Sequence, residues 1–481
     1  VADLTEKIKN LTDTIGRDFV KTDDRTTAQY AIDGLTPAAV IFPKNTAEAS
    51  AVIKFANQHH LAVVPWGSGS RIRMGNPPRK LDLVVCTRRM NHMLDVDTQN
   101  LTITVEAGVK LRDIQARLAT EEDRCYLPLE DLDIAADEII CSDRSHSGCF
   151  IPLDPPGSEK ATIGGIIAAN ASGPRRLLYN LPRDTILGVR FVTPQGDVPG
   201  SGGKTVKNVS GYDISKLMVG SMGSLGLITE MTFRLMPLPE KMQTLLFGFA
   251  SLSDAHAFAD GILKTKLLPA AVETMNAAAY EHLGFTGAPD FSPGRFVVAI
   301  SLEAFAPAVD RMAREMRQTA ADNGAVSSAL FGEHPHQQFW LAVSDQAARL
   351  AAEYGNLIRA KANYRISQWK DIIEFTDNAL AALKIQHTIQ AHSGSGICLI
   401  NLLLNENADG LKPEAAAFLE KLLQLSRKAG GNTVIQAAPA DMKPMLKIWG
   451  ETGSDFVAMK LLKKQLDPND VMSPGRFVGG L

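Results

Sequence analysis

The stretches ATIGGIIAANASGPRRLLYN (161–180) and GGKTVKNVSGYDISKLMVGSMGSLGLITEMTFRLMPLPE (202–240) are dense in glycine, alanine and serine, with apolar runs between. Small residues at this density let main chain approach a ligand closely, because no long side chain intervenes. A second segment of the same character, Pro65-Trp66-Gly67-Ser68-Gly69-Ser70-Arg71, follows the strand-like run Leu61 to Val64. Two separated small-residue segments predict one large anionic ligand gripped along its length.

The familiar phosphate loops do not account for them. Gly203-Lys204-Thr205 imitates the end of a P-loop, but that pattern needs glycine at position 198, where the chain has Val198. Gly67 and Gly69 open like a Rossmann fingerprint, yet its third glycine falls on Ile72. Gly220, Gly223 and Gly226 recur every third residue, which matches neither motif. An ATPase and a nicotinamide dehydrogenase are therefore disfavoured, and flavin adenine dinucleotide (FAD) is the expected ligand.

The chain has 481 residues, too many for one compact core, so two or three domains are expected. Hydrophobic content of 45%, charged content of 21% and a formal net charge of −3 are those of a soluble globular protein without a basic stripe, which excludes a nucleic-acid partner. The longest apolar run, Ile397 to Leu404, contains Asn401 and falls far short of the ~18 residues of a membrane span. No direct span is expected, and any peripheral membrane association runs through a partner. The start, VADLTEKIKNLTDTIG, reads as an amphipathic helix rather than a secretion signal. Five cysteines with no CxxC pair predict reduced thiols and a cytoplasmic protein. Cys125, Cys141, His146 and Cys149 are weighed as a four-ligand metal set, but their spacing matches no standard site, and ordinary thiols are preferred.

Along the chain, AAVIFP reads as a strand, TAEASAVIKFANQHH as a helix opened by Thr46 and Glu48, and LAVVPWG as a strand running into the first glycine-rich loop. LTITVEAGV alternates as a half-buried strand does, and LRDIQARLA reads as a helix. Residues 120–150 interrupt this domain with an acidic segment, read either as a solvated surface insertion or as a cover or docking loop for a redox partner. After Pro237-Leu238-Pro239, strand–helix units repeat: TLLFGFA with SDAHAFADGILKT, FVVAISLEAF with APAVDRMAREMRQTAADNG, and IQAHSGSGICLINLLL with PEAAAFLEKLLQLSRKAGG. They predict a sheet with helices packed on it. A last helix ends at Asp467-Pro468, because proline cannot continue one.

Several long motifs in order now carry a resemblance: IFPKNTAEASAVIKFANQHHLAVVPWGSGS, MNHMLDVDTQNLTITVEAGV, ATIGGIIAANASGP, GGKTVKNVSGYDISKLMVGSMGSLGLITE and LDPNDVMSPGRF. The chain resembles the FAD-linked oxidases and dehydrogenases of the vanillyl-alcohol oxidase and p-cresol methylhydroxylase group, and within it the glycolate oxidase and D-lactate dehydrogenase branch. The resemblance implies an α+β fold: an FAD-binding domain of two α+β subdomains (1–239, with the insertion at about 120–150), an α+β cap with a helix-covered sheet (240–450), and a C-terminal helix and tail (451–481) returning to the flavin domain. Carried over residue by residue, Pro65, Trp66, Gly67, Ser68, Gly69, Ser70 and Arg71 wrap the pyrophosphate, their amides forming an anion nest. Pro155, Ser158, Thr162, Gly164 and Gly165 lie beside pyrophosphate and flavin, followed by Ala168, Asn170, Ser172 and Gly173. Gly223, Gly226 and Ile228 lie near the ribityl and adenine parts. No histidine lies in Gly67 to Arg71, so the flavin is expected to be non-covalent.

The cap departs from the pattern. Metal-dependent 2-hydroxy-acid dehydrogenases of the branch carry HxGDGNxH and a later EHG, which place a divalent metal where a carboxylate and a hydroxyl are held. Here the first motif reads His392-Ser393-Gly394-Ser395-Gly396-Ile397-Cys398-Leu399, and Gln436 and Ala437 stand where the later Glu and His are expected. One ligand of four survives, while a catalytic zinc needs about three protein ligands, so no cap metal is expected. His392 is read either as a general base or as a packed remnant, and Arg365 as the partner of a substrate carboxylate. Two functions stay open: an FAD-dependent dehydrogenase of a small 2-hydroxy acid passing electrons to an iron–sulfur protein, an electron-transfer flavoprotein or a quinone-linked complex; and a flavin-carrying relay or structural subunit beside a related FAD-bearing catalytic chain. SMGSLG, where metal-bearing subunits usually show SEGTLG, favours the second.

Overall fold

The computed structural model describes residues 8, 11–119, 132–133, 138–139, 148–204, 212–405 and 409–481. Most of the 120–150 segment, with Cys125, Cys141 and His146, lies outside them. Cys149 is buried in the short strand Cys149–Phe150.

The first subdomain is a four-stranded sheet in the order Val20–Lys21, Ala39–Ile41, Leu83–Cys86, Val63–Trp66. Its last three strands are parallel, and the helix Thr46–Gln58 packs Ala49, Val52, Ile53 and Ala56 onto it. The cap of that helix is Asn45, one residue earlier than the sequence suggests. The Glu48 N–H donates to Asn45 Oδ1 at 2.9 Å, while Thr46 Oγ1 turns away to Glu230 Oε1 at 3.1 Å. Asparagine serves because its amide oxygen reaches the free N–H as a hydroxyl does.

The second subdomain is a five-stranded antiparallel sheet in the order Gly200–Gly202, Ile186–Val192, Leu227–Arg234, Thr102–Glu106, Met93–Asp97. The helix Leu111–Ala119 closes its core.

The third unit is an eight-stranded antiparallel sheet in the order Ala325–Gly332, Lys241–Phe249, Phe296–Ala304, Ala271–Asn276, Gln386–His392, Ile397–Leu403, Ile358–Asn363, Asn432–Ala437. Successive strand residues point to opposite faces. One set, including Ile358, Ala360, Ala362, Ile389, Ala391, Cys398 and Ile400, packs under the helices Leu252–Leu263, Ala306–Asp322, Trp369–Ala382 and Lys412–Lys428. The alternating set, Arg359, Lys361, Asn363, Gln390, His392, Ile397 and Leu399, is thereby assigned to the other face. The long helix Glu333–Glu353 packs against part of that second face through Phe339, Trp340 and Val343.

After the helix Phe456–Leu466 the chain returns to the first sheet. Val63 N–H donates to Val471 O, and Ser473 N–H to Val63 O, both at 2.8 Å. Asp467 holds this turn, accepting from the Val471 and Met472 amides and from Lys463 Nζ. Arg476 then donates to the Ile72 and Met74 carbonyls at 2.7 and 2.8 Å, tying the tail to the first glycine-rich loop.

Candidate functional site

Two cavities meet at Arg71. The first, about 780 Å³ including its open mouth, runs between the two flavin-domain sheets. It brings together Pro65, Trp66, Gly67, Ser68, Gly69, Ser70, Arg71, Gly164, Gly165, Ala168, Gly223, Gly226 and Ile228, with Ala107, Met222 and Arg476 added by the tertiary fold. Gly67 is required sterically, because a Cβ there would drive into Thr162 Oγ1. Gly69 has φ +79° and would place a Cβ 2.6 Å from the Trp66 ring, so both conformation and space demand glycine. Two turn bonds close the loop on its far side, Ile72 N–H to Gly69 O at 3.1 Å and Met74 N–H to Arg71 O at 3.0 Å. Behind this lining, buried Ser158 Oγ, Thr162 Oγ1 and Ser221 Oγ have no protein partner among the described residues, nor does Asn170 Oδ1, which belongs to the second cavity. Unpaired buried polar atoms are uncommon and call for a ligand or water. A cradle of small residues with unmatched donors and acceptors beside a cation fits a dinucleotide.

The second cavity, about 580 Å³, lies where the cap covers the flavin domain. Arg71, Asn170 and Ser172 face it from below; Arg359, Lys361, His392, Leu399 and Gln436 face it from the cap sheet. Pro155, Ser158, Thr162 and Gly173 line neither cavity, although Pro156 lines the second. Gly173 is instead part of the support. Buried Asp154 accepts from the Gly173 and Arg175 amides at 3.0 and 2.8 Å, and burial pushes its pKa up to about 6. Arg175 then crosses to the cap as a buried bidentate pair, Nε to Glu303 Oε1 at 2.9 Å and Nη2 to Oε2 at 2.7 Å, with Tyr179 and Ser301 hydroxyls completing the carboxylate. Burial opposes both charges. Each partner outweighs it, holding Arg175 above and Glu303 below its ordinary pKa.

His392 is 4% exposed, and its Nδ1 lies 2.7 Å from Oε1 of the fully buried Glu273. Gln390 Nε2 donates to the other Glu273 oxygen at 2.8 Å. A carboxylate only accepts, so Nδ1 is the nitrogen that carries the proton in the neutral ring, which keeps its lone pair on Nε2. Glu273 escapes sequence reasoning because it lies 119 residues from His392, and only strand pairing brings Glu273 opposite it.

Arg71, Arg359 and Lys361 line this chamber, and none forms an ion pair with a carboxylate among the described residues. Burial lowers the Arg71 pKa to about 10. Burial and Arg71 bring Arg359 to about 9. Burial, with Arg176, Arg71 and Arg359, brings Lys361 to about 8. Unpaired, partly desolvated cations are costly, and an anionic ligand offsets that cost. The IRAKAN alternation at 358–363 was the available signal, but cations at alternate strand positions ordinarily mark a solvated face. Arg365, the residue singled out from sequence, is exposed at the end of that strand and packs beside Gly430, outside the chamber. The chain turns into a 3-10 helix there and carries Arg365 off the sheet face.

Where the resemblance places metal ligands the chain has His392, Leu399 and Gln436, which line the chamber, and Ala437, which does not. Among the described residues no group of three or more His, Cys, Asp or Glu is arranged to hold a metal. An imidazole beside a leucine, an amide and two cations is a poor donor set for a divalent ion.

Comparison with known proteins agrees with this architecture. The FAD binding domain model matches residues 37–130 and 144–199, and the model of the C-terminal domain of FAD linked oxidases matches 238–477. The fold and cleft are those of a flavin-dependent oxidoreductase. The chain belongs to the FAD-linked oxidases, and FAD is its cofactor. It is 28% identical over 452 residues to the glycolate oxidase subunit GlcD of Bacillus subtilis (strain 168), covering 92% of this chain and 89% of that protein. It is 28% identical over 459 residues to a D-lactate dehydrogenase of Archaeoglobus fulgidus, covering 91% of each, and 27% identical over 452 residues to a D-2-hydroxyglutarate dehydrogenase of Xanthomonas citri pv. viticola, covering 92% and 89%. Among solved structures it superposes on p-cresol methylhydroxylase with substrate bound, at TM-score 0.74 and 16% identity, covering 99% of this chain and 96% of that one. No helix among the described residues is long and apolar enough to cross a membrane.

Proposed function

We propose that this protein oxidises a 2-hydroxy acid to the corresponding 2-oxo acid and passes the electrons to a separate redox protein. One observation carries the reading: Arg71, Arg359 and Lys361, without carboxylate partners among the described residues, line the same chamber as His392 of the His392–Glu273 dyad. Bound FAD supplies the two-electron acceptor for the hydride that leaves substrate C2. The cations hold the substrate carboxylate, and a guanidinium does so through paired N–H groups. His392 Nε2 takes the hydroxyl proton, and Glu273 orients the ring and stabilises the imidazolium that results. The relatives named for glycolate, D-lactate and D-2-hydroxyglutarate chemistry support the substrate class.

The replacement of metal-ligand positions by Leu399, Gln436 and Ala437 favours a second reading, a flavin-carrying relay subunit beside a catalytic sister chain. Its partner is then a related FAD subunit, in contrast to the iron–sulfur protein or electron-transfer flavoprotein of the first. Anaerobic mixing of the isolated, FAD-loaded chain with a panel of 2-hydroxy acids separates the two. Flavin bleaching selects the enzyme. An unbleached flavin that reduces only after a sister subunit is added selects the relay.

A further inference from the structure

The lost metal-ligand positions and two of the three chamber cations, Arg359 and Lys361, are neighbours in one sheet. The strand Ile358–Asn363 runs between Ile397–Leu403 and Asn432–Ala437. Lys361 lies opposite Leu399 on one side and Val434 on the other; Arg359 lies opposite Asn401 and Ala437. Arg359, Lys361, His392, Leu399 and Gln436 all line the 580 Å³ chamber. Arg359 is 7% exposed, and its Nε has no partner among the described residues.

We propose that Arg359 is a fixed organic cation that chelates the substrate, its planar fork spanning one carboxylate oxygen and the oxygen on C2 where metal-bearing relatives use a divalent ion. The inference rests on the 2-hydroxy-acid reading above. Two features single out Arg359. A guanidinium presents several donors in a rigid plane and bridges two oxygens, whereas an ammonium is a point charge on a flexible stem. The substrate's carboxylate and C2 oxygens form a two-oxygen edge of that kind. Lys361, one step along the same face, neutralises the rest of the carboxylate charge. During oxidation the hydroxyl proton passes to His392 and C2–O becomes a carbonyl, while bound FAD would supply the acceptor for the C2–H electron pair lost as hydride. Arg359 stabilises the negative charge that builds on that oxygen and exchanges no proton. Because the charge is covalently attached, the chamber binds its acid without an exchangeable ion.

The test uses oxidised, FAD-loaded protein and reads binding by the shift of the flavin absorbance spectrum. Each 2-oxo acid of two to six carbons is paired with the same acid lacking the keto oxygen, with and without EDTA. The wild-type protein should prefer the 2-oxo member by about tenfold or more, the scale of a hydrogen bond to a charged group, with no change on chelation. Arg359→Lys keeps the charge and loses the fork, so the two members should bind about equally while flavin content stays normal. Arg359→Met, which retains similar bulk, should lose both acids and serves as the second variant if the lysine form is unstable. A preference that survives in Arg359→Lys, or one abolished by EDTA in the wild type, overturns the proposal. Wild-type protein that binds plain acids but shows no preference overturns it while leaving a carboxylate site standing. Failure to bind any acid removes the 2-hydroxy-acid reading itself.

Discussion

His392 Nδ1 and Glu273 Oε1 lie 2.7 Å apart on neighbouring strands of the cap sheet, and the Glu273 carboxylate is wholly buried. That contact sets which imidazole nitrogen keeps its lone pair. Glu273→Gln preserves shape and removes the charge that supports an imidazolium. Substrate-driven flavin reduction should fall ~10²-fold or more, with FAD content unchanged. His392→Ala should fall by at least as much. Stopped-flow reduction that proceeds at the wild-type rate in both variants would return His392 to a packing role.

Acid binding should weaken in alkali. Lys361, brought down to about 8 by burial and by Arg176, Arg71 and Arg359, is charged below that pH and neutral above it. An anion favours the charged form, so its Kd rises as pH climbs through about 8, or somewhat higher once the bound anion itself raises the Lys361 pKa. In Lys361→Met the Kd is weaker and this step is absent. A titration of the same flavin spectral shift from pH 6 to 10 makes the comparison, and an unchanged step in the variant would assign it elsewhere.

The first glycine-rich loop has no room for a side chain at its start. Gly67→Val directs its Cβ into Thr162 Oγ1, so either the loop or the segment beneath it must shift. The purified variant should carry substoichiometric FAD, measured by flavin released on denaturation. Full flavin loading would mean that the cofactor does not depend on this close approach.

Arg175 and Glu303 join the flavin domain to the cap as a buried, bidentate pair. Removing one member strands the other charge. Arg175→Met should therefore cost ~3–5 kcal/mol, with a clear drop in Tm. The double variant with Glu303→Met should lose less than the sum of the two singles. Additive losses in denaturant melts would show the pair to be uncoupled.

Arg365 offers a control from the opposite direction. It is exposed and outside the chamber, so Arg365→Gln should leave acid binding and flavin reduction unchanged. Reduced affinity for acids in that variant would contradict the assignment of the carboxylate to Arg71, Arg359 and Lys361.

Much of the flavin cradle was legible along the chain because it is built from contiguous segments. Gly67 to Arg71 form a loop and Gly164 to Ala168 a short helix, and close neighbours at Gly67, Gly69 and Gly164 leave glycine in the sequence itself. Strand alternation and the breaks at Pro239 and Pro468 likewise record local backbone geometry. The helix start at Asn45 was misplaced by one residue because asparagine and threonine both supply a capping oxygen, and only the hydrogen bond distinguishes them.

Local chemistry thus accounts for the α+β elements, the two small-residue segments and the loss of three metal-ligand positions. The acid-binding chamber arises otherwise. Arg359 and Lys361 share one strand, His392 and Glu273 come from two others and Arg71 from a loop of the flavin domain, and Arg365 leaves the site by a turn only a few residues beyond Lys361. Sheet order decides which strands adjoin, and register decides which alternate residues share a face. Both are long-range pairings whose stabilisation comes from burying the whole cap core, so no short stretch of the chain encodes them.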